Sequence, residues 1–513
     1  MKLIKLFYVL YKIKLLTPIG LYNLLSSFSK CGVNLMTLLH FAEKKYANRI
    51  ALVDDHETLT YKQLLEQSTN LAHSLIEKSK LKSGQKVGIL CRNHASLVKS
   101  IFAVSQVGGD LYLLNTEISK QQFNGFAEQH HFDLIIYDAE LSPIIQDYSK
   151  QKILSYHPDL PAISNFLQSK PNPDSLPRAT KGKLVLQTSG TTGMSKDAAH
   201  KPSLFHYLHP FVAFIKRLKI LDYQSAYIAT PIYHGYGIAV LLLFIPLGKK
   251  VVITRGFKDK KACELIHQHQ IEVVTVVPLM LQKMLQYNKE YLKSLKCIAS
   301  GGAKLPSKLV EVTIQKLGPV LYNLYGTSET GLNFIATPQD LMYSATTNGK
   351  KITGLNVSIL DHNKNEVPSG TIGQLCMKND WSIRKDTWIE TGDVGYRDEN
   401  DYYFICGRMD DMVISGGENV YPIEVEQVLI QHPQILDVAI IGTDDEQFGH
   451  RLLAFIVLEE DESLTEEELL GWLRQRIARY QLPKKVTIVD QLPYTPLGKL
   501  DKKQLKLTVP FEC

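Results

Sequence analysis

Short apolar runs alternate with longer helical ones between about residues 35 and 277, and this alternation restricts the fold more than any other feature. Leu64 to Ser79 has the apolar spacing of a helix, and Lys86 to Leu90 is a short strand after the turn Ser83-Gly84. His94 to Val107 is helical again, and Leu134 to Tyr137 is a buried strand. Lys170 to Lys183, rich in Pro, Asn, Asp and Ser, reads as an exposed connection. The alternation then resumes with strand-like Lys183 to Gln187, Tyr227 to Ala229, Lys250 to Thr254 and Val273 to Val277. Strands separated by helices return by crossovers and pair in parallel, with the helices covering the sheet.

Residues 340–405 differ. Runs such as Val357 to Leu360 and Gly373 to Met377 are divided by the turns Asp361-His362-Asn363 and Pro368-Ser369-Gly370, a pattern for a small antiparallel or barrel-like subdomain. After Gly407 come two or three strands and two helices over roughly 100 residues, the size of a small α+β domain. The expected fold is α/β. A large N-terminal domain of parallel sheets and helices carries a small β-barrel-like subdomain, and a small α+β C-terminal domain follows. The expected boundaries are a segment 1–34, a large domain 35–409 and a small domain 410–513.

Charge separates the first segment from the rest. The net charge of the 513 residues is +6, and Lys2, Lys5, Lys12, Lys14 and Lys30 precede the first acidic residue, Glu43. Residues 31–513 are left at +1, which argues against a nucleic-acid binder with its basic stripe. Lys12 and Lys14 interrupt a secretory core, and Leu15 to Ser29 falls short of the ~20 apolar residues that span a bilayer. Two readings of residues 1–30 stay open: an amphipathic helix at an anionic membrane surface, or a helix docked on the protein's own core. The uncharged stretch Ala226 to Gly248 contains Pro231 and Pro246 and is expected as a buried helix. Seven scattered cysteines without a C-x-x-C pair argue against a disulfide framework or a zinc site and suit a reducing compartment. Cys263 and Cys297 resemble buried small hydrophobes.

The strand Lys183 to Gln187 runs into Thr188-Ser189-Gly190-Thr191-Thr192-Gly193-Met194-Ser195-Lys196. Glycines let backbone N–H groups turn inward as an anion nest, and hydroxyls with Lys196 add donors for a polyphosphate. The P-loop pattern G-x-x-x-x-G-K-[ST] fails, because Ser195 precedes Lys196 and Asp197 follows it.

This T-S-G-T-T-G-x-x-K segment resembles the signature of the AMP-forming acyl-CoA synthetase (adenylate-forming) superfamily, and further segments follow in that family's order. They are Pro231-Ile232-Tyr233-His234-Gly235-Tyr236-Gly237, Ser300-Gly301-Gly302-Ala303-Lys304-Leu305-Pro306, Tyr322 to Glu329, Thr391-Gly392-Asp393, Gly407-Arg408-Met409-Asp410-Asp411 and Pro496-Leu497-Gly498-Lys499. The resemblance covers roughly residues 37–505 and is similar to bacterial fatty acyl-CoA synthetases in the first ~45 residues.

The resemblance implies ATP, Mg²⁺ and CoA as co-substrates and ion. Thr188, Ser189, Gly190, Thr191, Thr192, Gly193 and Lys196 would cradle phosphates, and Lys499 would reach the acyl carboxylate and the α-phosphate, where negative charge builds in the transition state. Glu329 would hold Mg²⁺, with Thr327 on phosphate. Gly302, Ala303 and Tyr325, beside Gly326, would sandwich adenine. Asp393 would accept both ribose hydroxyls, and Arg408 would add a cation there. His234 would stand at the mouth of the acyl site, walled by the apolar run after it. Asp410 would be the hinge whose rotation exchanges Lys499 for the Ser415-Gly416-Gly417 loop, which lines a thiol tunnel. Blander readings stay beside these: a solvated Lys499, a structural His234 and a turn-forming Asp393. Departures from the pattern are Ser195 and Asp197 around Lys196, Ser328, Gln374 and Lys304; none removes a catalytic residue.

The implied reaction joins a carboxylic acid, fatty by the N-terminal likeness and the apolar wall, to CoA through acyl-AMP. Alternatives are transfer to a carrier protein, an aryl or other acid, and an inactive membrane-bound lipid or nucleotide binder. The implied location is cytoplasmic, with peripheral attachment to the inner face of the membrane as the option that residues 1–30 raise.

Overall fold

The computed structural model describes residues 8–13, 15–157, 162–163, 176, 178–179, 182–188, 196–200, 208–415, 417–445, 448–459, 462–495 and 500–507; for 187, 188, 196–200, 419, 503 and 506 it describes the backbone alone. The chain forms two units, one of residues 1–276 with 287–298, the other of residues 277–286 with 299–513.

The first unit holds the alternating pattern. Its strands are β1 (Ile50–Val53), β2 (Thr58–Thr60), β3 (Lys86–Leu90), β4 (Asp110–Leu113), β5 (Leu134–Tyr137), β6 (Gln151–Leu154), β7 (Leu184–Thr188), β8 (Lys196–His200), β9 (Ser225–Ile228), β10 (Lys250–Ile253) and β11 (Val273–Val276). One sheet runs β6-β5-β3-β4-β7-β8, parallel except for the last pair. The other runs β11-β9-β10-β1-β2, parallel except for β1 with β2. The central strands are mostly apolar and mostly buried, as a sheet covered on both faces requires.

Helix starts are chemically marked. Thr60 and Gln63 form a capping box for the helix Tyr61–Glu77, and the buried Tyr61 hydroxyl donates to the carbonyls of Ile245 and Lys249 at 3.0 and 2.9 Å. Every residue of the helix Ala95–Val107 is buried. Its Lys99 is held by Glu57 at 2.7 Å and Gln67 at 2.9 Å, which offsets the cost of an interior cation. The helix stops at Gly108 in the left-handed region, where a Cβ would come within 2.8 Å of Ser83 Oγ.

The helix Pro18–Cys31 is docked. Ser27 is fully buried and its hydroxyl meets His40 Nδ1 at 2.9 Å; Cys31 is buried at the same edge. On the other edge Ile19, Tyr22 and Leu25 are 74%, 68% and 67% exposed. The docked alternative is therefore realised for this helix, while its outer edge is apolar and uncovered by the first unit. Residues 1–7 and Lys14 lie outside the described residues. The uncharged stretch expected as a buried helix contains the helix Gly235–Phe244, and no described helix is long and apolar enough to cross a membrane. The connection 170–183 lies mostly outside the described residues.

In the second unit β13 (Leu321–Thr327), β14 (Gly331–Ala336) and β15 (Lys350–Lys351) lie side by side, after β12 (Cys297–Gly301), which enters this unit at Ala299. The expected small subdomain is an antiparallel meander of β16 (Asn356–Leu360), β17 (Gly373–Lys378), β18 (Ile389–Arg397) and β19 (Tyr403–Arg408). Beyond it are β20 (Val413–Ser415), β21 (Glu418–Val420), β22 (Ile435–Asp445), β23 (Gly449–Leu458) and β24 (Lys485–Ile488), ordered β21-β20-β23-β22 with β24 parallel to β23. That is five strands and three helices, more than the two or three strands and two helices expected. The short strands β20, β21 and β24 carry too few residues to show an alternation. Their core is Val413, Val425, Leu429, Ile440, Leu452, Ile456, Leu469 and Leu473. Each fully buried aliphatic side chain of this cluster contributes ~1.5–3 kcal/mol toward ordering the sheet, and Ile441, Leu453, Phe455 and Leu492 form a second core on it.

The six described cysteines, Cys31, Cys91, Cys263, Cys297, Cys376 and Cys406, are free and buried, in keeping with the packing role expected of Cys263 and Cys297.

Candidate active site

In the first unit the phosphate segment is flanked by paired backbone. Thr188 closes β7 opposite Lys196, which opens β8, so residues 189–195 link neighbouring antiparallel strands. Ser189, Gly190, Thr191, Thr192 and Gly193 lie outside the described residues, as do the side chains of Thr188 and Lys196. The element after the segment is a strand, whereas a P-loop opens a helix. That is a second reason, independent of the residue mismatch, to set the NTPase reading aside.

His234 heads the helix Gly235–Phe244, whose Ile238, Val240, Leu241, Leu243 and Phe244 are buried. The turn before it is tight. His234 N donates to Pro231 O at 3.2 Å, and a Cβ on Gly237 would lie 2.3 Å from the same oxygen, so only glycine fits. Asn93, which the sequence reading missed, holds this turn. Its Nδ2 donates to Thr230 O at 3.0 Å and its Oδ1 accepts from Ile232 N at 2.7 Å. The clue was an Asn three residues past the end of an apolar strand, at the carboxyl edge of a parallel sheet.

Asn93 is itself placed by its neighbours. His94 Nε2 meets Asp138 Oδ1 at 2.7 Å, and Asp138 Oδ2 accepts from Arg92 N at 2.9 Å. Burial pushes the Asp138 carboxyl up, but His94, Ser155 and the Arg92 amide outweigh it and hold it at about 2. Cys91, His94 and Asp138 are the one cluster of three metal-type ligands among the described residues. Both His94 nitrogens are engaged there, Nδ1 accepting from Leu97 N at 3.2 Å, and the cluster serves as a helix cap.

In the second unit three expected site residues meet. Tyr325, at the end of β13, donates its hydroxyl to Asp393 Oδ2 at 2.5 Å, and Arg408 Nη1 donates to Asp393 Oδ1 at 3.1 Å. The register that pairs Asp393 with Arg408 across β18 and β19 makes this contact unavoidable. Burial and the adjacent Asp393 carboxylate raise the Tyr325 phenol well above its ordinary range, so it remains a donor. The Tyr325 ring stacks on Phe334 at 5.3 Å, leaving a fixed flat face. Both Asp393 oxygens are thus engaged by side chains of other expected site residues.

Gly302 follows β12 with φ +81 and open space around its missing Cβ except for Val277 at 3.7 Å, and Ala303 is half-buried. Gly326 has Gly331 O 2.4 Å from where a Cβ would be, so the β13–β14 turn admits no larger residue. Thr327 Oγ1 meets Thr330 Oγ1 at 2.8 Å, and the Glu329 carbonyl accepts from Ile383 N at 3.0 Å. The Glu329 carboxylate is half-buried and joins no ion pair among the described residues. A carboxylate on an anchored backbone, with no ion pair among the described residues, fits a Mg²⁺ ion that takes its other ligands from phosphate and water.

Asp410 is exposed in the turn Met409–Asp411, with Arg408 Nη2 3.7 Å from its carboxylate and Lys502 Nζ 2.6 Å from Asp411. Ser415 is buried and pairs with Glu418 across the turn that contains Gly417; Gly416 lies outside the described residues. Lys499 also lies outside them, between Tyr494 and Leu500, which bridge in antiparallel fashion.

Comparison with known proteins settles the class. The AMP-binding enzyme family matches residues 39–385, and its C-terminal domain matches residues 424–499. The chain belongs to the AMP-binding enzyme family. Adenylate formation from ATP, with Mg²⁺ and with CoA as acceptor, is the chemistry of that family. Among curated relatives, the 2-succinylbenzoate–CoA ligase of Bacillus velezensis is 28% identical over 475 residues, covering 89% of this chain and 94% of the relative. A putative acyl–CoA ligase, YdaB, of Bacillus subtilis is 27% identical over 480 residues, 88% of this chain and 94% of the relative. The anthranilate CoA ligase AuaEII in complex with anthranoyl-AMP superposes with a TM-score of 0.83 at 20% identity, over 92% of this chain and 96% of that one. The o-succinylbenzoate coenzyme A synthetase from B. subtilis in complex with AMP gives 0.79 at 24% identity, over 91% and 98%. The α/β architecture of this AMP-binding enzyme is that of the adenylate-forming fold.

Proposed function

We propose that the protein activates an apolar carboxylic acid in two steps, forming acyl-AMP and pyrophosphate from ATP and then a thioester with CoA. The observation that carries the acid class is the uncharged helix Gly235–Phe244 behind His234, which offers a substrate tail dispersion contacts and no counter-ion. A fatty acid is the leading reading. An aryl acid is the second, favoured by the relatives named 2-succinylbenzoate–CoA ligase.

In this reading Glu329 holds Mg²⁺, Thr327, Lys196 and residues 188–193 bind phosphates, Tyr325 with Gly302, Ala303 and Gly326 stacks adenine, and Asp393 with Arg408 grips the ribose. His234 borders the acyl site, Lys499 stabilises charge at the α-phosphate, and Asp410 is the pivot that brings Ser415, Gly416 and Gly417 to the thiol path. Pyrophosphate release over a panel of fatty and aryl acids tests the acid class, with thioester expected only when CoA is added. Release without CoA consumption would move the acceptor to a carrier protein, and release with aryl acids alone would overturn the fatty reading.

We place the reaction in the cytoplasm, at an anionic membrane surface. Support comes from the outer edge of the helix Pro18–Cys31, where exposed Ile19, Tyr22 and Leu25 sit in a segment with five lysines and no acidic residue before Glu43. The triple change of Ile19, Tyr22 and Leu25 to Ser alters side chains that are largely exposed. It should abolish binding to phosphatidylserine vesicles and spare activity on a short soluble acid; unchanged vesicle binding would refute the placement.

A further inference from the structure

Two lysines near the adenine-side loop reach toward the last 100 or so residues, the small-domain region, and neither belongs to the implied catalytic set. Lys304 follows Gly302 and Ala303 directly and stands where the resembling segment commonly has proline; its Nζ lies 3.5 Å from Glu426 Oε2 on the helix Pro422–Leu429. Lys308, one turn on in the helix Ser307–Leu317, pairs with Glu459 just past β23 and donates to Ile435 O at 3.2 Å. Both carboxylates are built into the small sheet region. Glu426 Oε1 also accepts from Ile440 N on β22 at 3.0 Å, and Glu459 N donates to Gln434 O.

The contacts continue to the described residues that flank Lys499 in the chain. Ile435 opens β22, and two residues later Asp437 Oδ2 accepts the Tyr494 hydroxyl at 2.7 Å. Tyr494 in turn bridges Leu500 around the segment containing Lys499. Lys308, Ile435, Asp437 and Tyr494 therefore tie the Tyr494–Leu500 bridge to the helix that follows the adenine loop.

We propose that Lys304 and Lys308 are positioning residues for the adenylation half-reaction, clamping the small domain in the orientation that serves Lys499. The proposal rests on the reading of Asp410 as pivot. The strength of the clamp suits the task. Lys304 and Lys308 are 39% and 33% exposed, and such partly exposed pairs are individually weak, so the clamp biases an equilibrium and still releases when the thiol step needs the other orientation.

The test separates the half-reactions in the full chain. In Lys304→Gln/Lys308→Gln, acid-dependent ATP–pyrophosphate exchange should fall about three- to tenfold, the range two such pairs supply. Thioester formation from supplied acyl-AMP should stay the same or rise. The exchanged pair Lys308→Glu/Glu459→Lys should recover adenylation relative to Lys308→Glu alone. Equal loss in both half-reactions, no loss, or no recovery would overturn the clamp.

Energy transfer between dyes at His362→Cys and Glu467→Cys, two exposed positions, reports orientation directly. Wild type should show two distances, one dominant with ATP and acid and one with CoA, and the double variant should lose population of the first. A single distance in wild type under all ligands would refute the pivot. Two distances in equal proportion in wild type and variant would refute the clamp while leaving the pivot standing.

Discussion

Asp393→Asn is the sharpest probe of the nucleotide site. The carboxylate accepts from Arg408 Nη1 at 3.1 Å and from the Tyr325 hydroxyl at 2.5 Å, and only 12% of the side chain is exposed. Asparagine keeps the shape and deletes the charge. At this separation and an effective dielectric constant of about 20, the attraction to Arg408 is about 5 kcal/mol. Because Arg408 is 38% exposed, solvent screening reduces the contribution to stability to about 1–2 kcal/mol.

The loss to ATP should be larger. Replacing a charged acceptor by a neutral one costs about 1–1.5 kcal/mol per ribose hydroxyl, or about 2–3 kcal/mol for two, which raises the KM for ATP about 30- to 150-fold. The assay is pyrophosphate release against ATP, 2′-deoxy-ATP and 3′-deoxy-ATP. Each deoxy analogue should be penalised by the wild type and hardly at all by the variant, the signature of directly coupled groups. A folded variant with an unchanged KM for ATP, or a deoxy penalty of full size in the variant, would refute the ribose assignment.

Three other outcomes are expected. Burial, with Lys30 and Lys44 nearby, depresses the His40 imidazole to about 4, below its unfolded value near 6.5. The unfolded state then binds the extra proton between these values. Stability is complete above about 6.5 and falls by at most about 3 kcal/mol as pH drops through 4, and His40→Gln should flatten that stretch of the pH–stability curve measured by denaturant titration. Gly237→Ala places a Cβ against Pro231 O and must shift the turn carrying His234, so kcat/KM for the acid should fall about a hundredfold in steady-state assays while ATP binding is kept. Asn93→Ala removes two buried hydrogen bonds from the same turn. It should cost about 2–4 kcal/mol in denaturant unfolding, with a loss of acid turnover that Asn93→Asp only partly restores.

Much of the architecture is visible in local pattern. Lys86 to Leu90 and Leu134 to Tyr137 are read to the residue, because central parallel strands are short, mostly apolar and bounded by turns. β8 was not legible. Lys196 to His200 contains a lysine and an aspartate, and it becomes a strand because β7 supplies backbone partners on its free edge. The Tyr325–Asp393–Arg408 trio was legible as three motifs but not as one contact, which depends on the β18–β19 register. Asn93 escaped because its meaning lies 139 residues away at Ile232, and the Lys308–Glu459 contact escaped for the same reason, with 151 residues between partners. Sequence periodicity reports which face is buried and carries no information about which distant backbone a polar group will meet.

The burial of the cysteines bears on the company this enzyme keeps. A CoA ligase binds a free thiol, and any accessible thiolate on its surface would exchange with oxidised CoA. Burial raises the thiols of Cys31 to about 11 and of Cys263 and Cys406 to about 12, and pushes Cys91, Cys297 and Cys376 up as well. At neutral pH these six sulfurs are neither ionised nor reachable. The folded chain should therefore gain no CoA adduct at any of them when incubated with CoA disulfide and mapped by peptide mass spectrometry, and an adduct at one of the six would show that its packing opens. On this account none of the six described cysteines would tie the enzyme covalently to its thiol co-substrate during an oxidative episode.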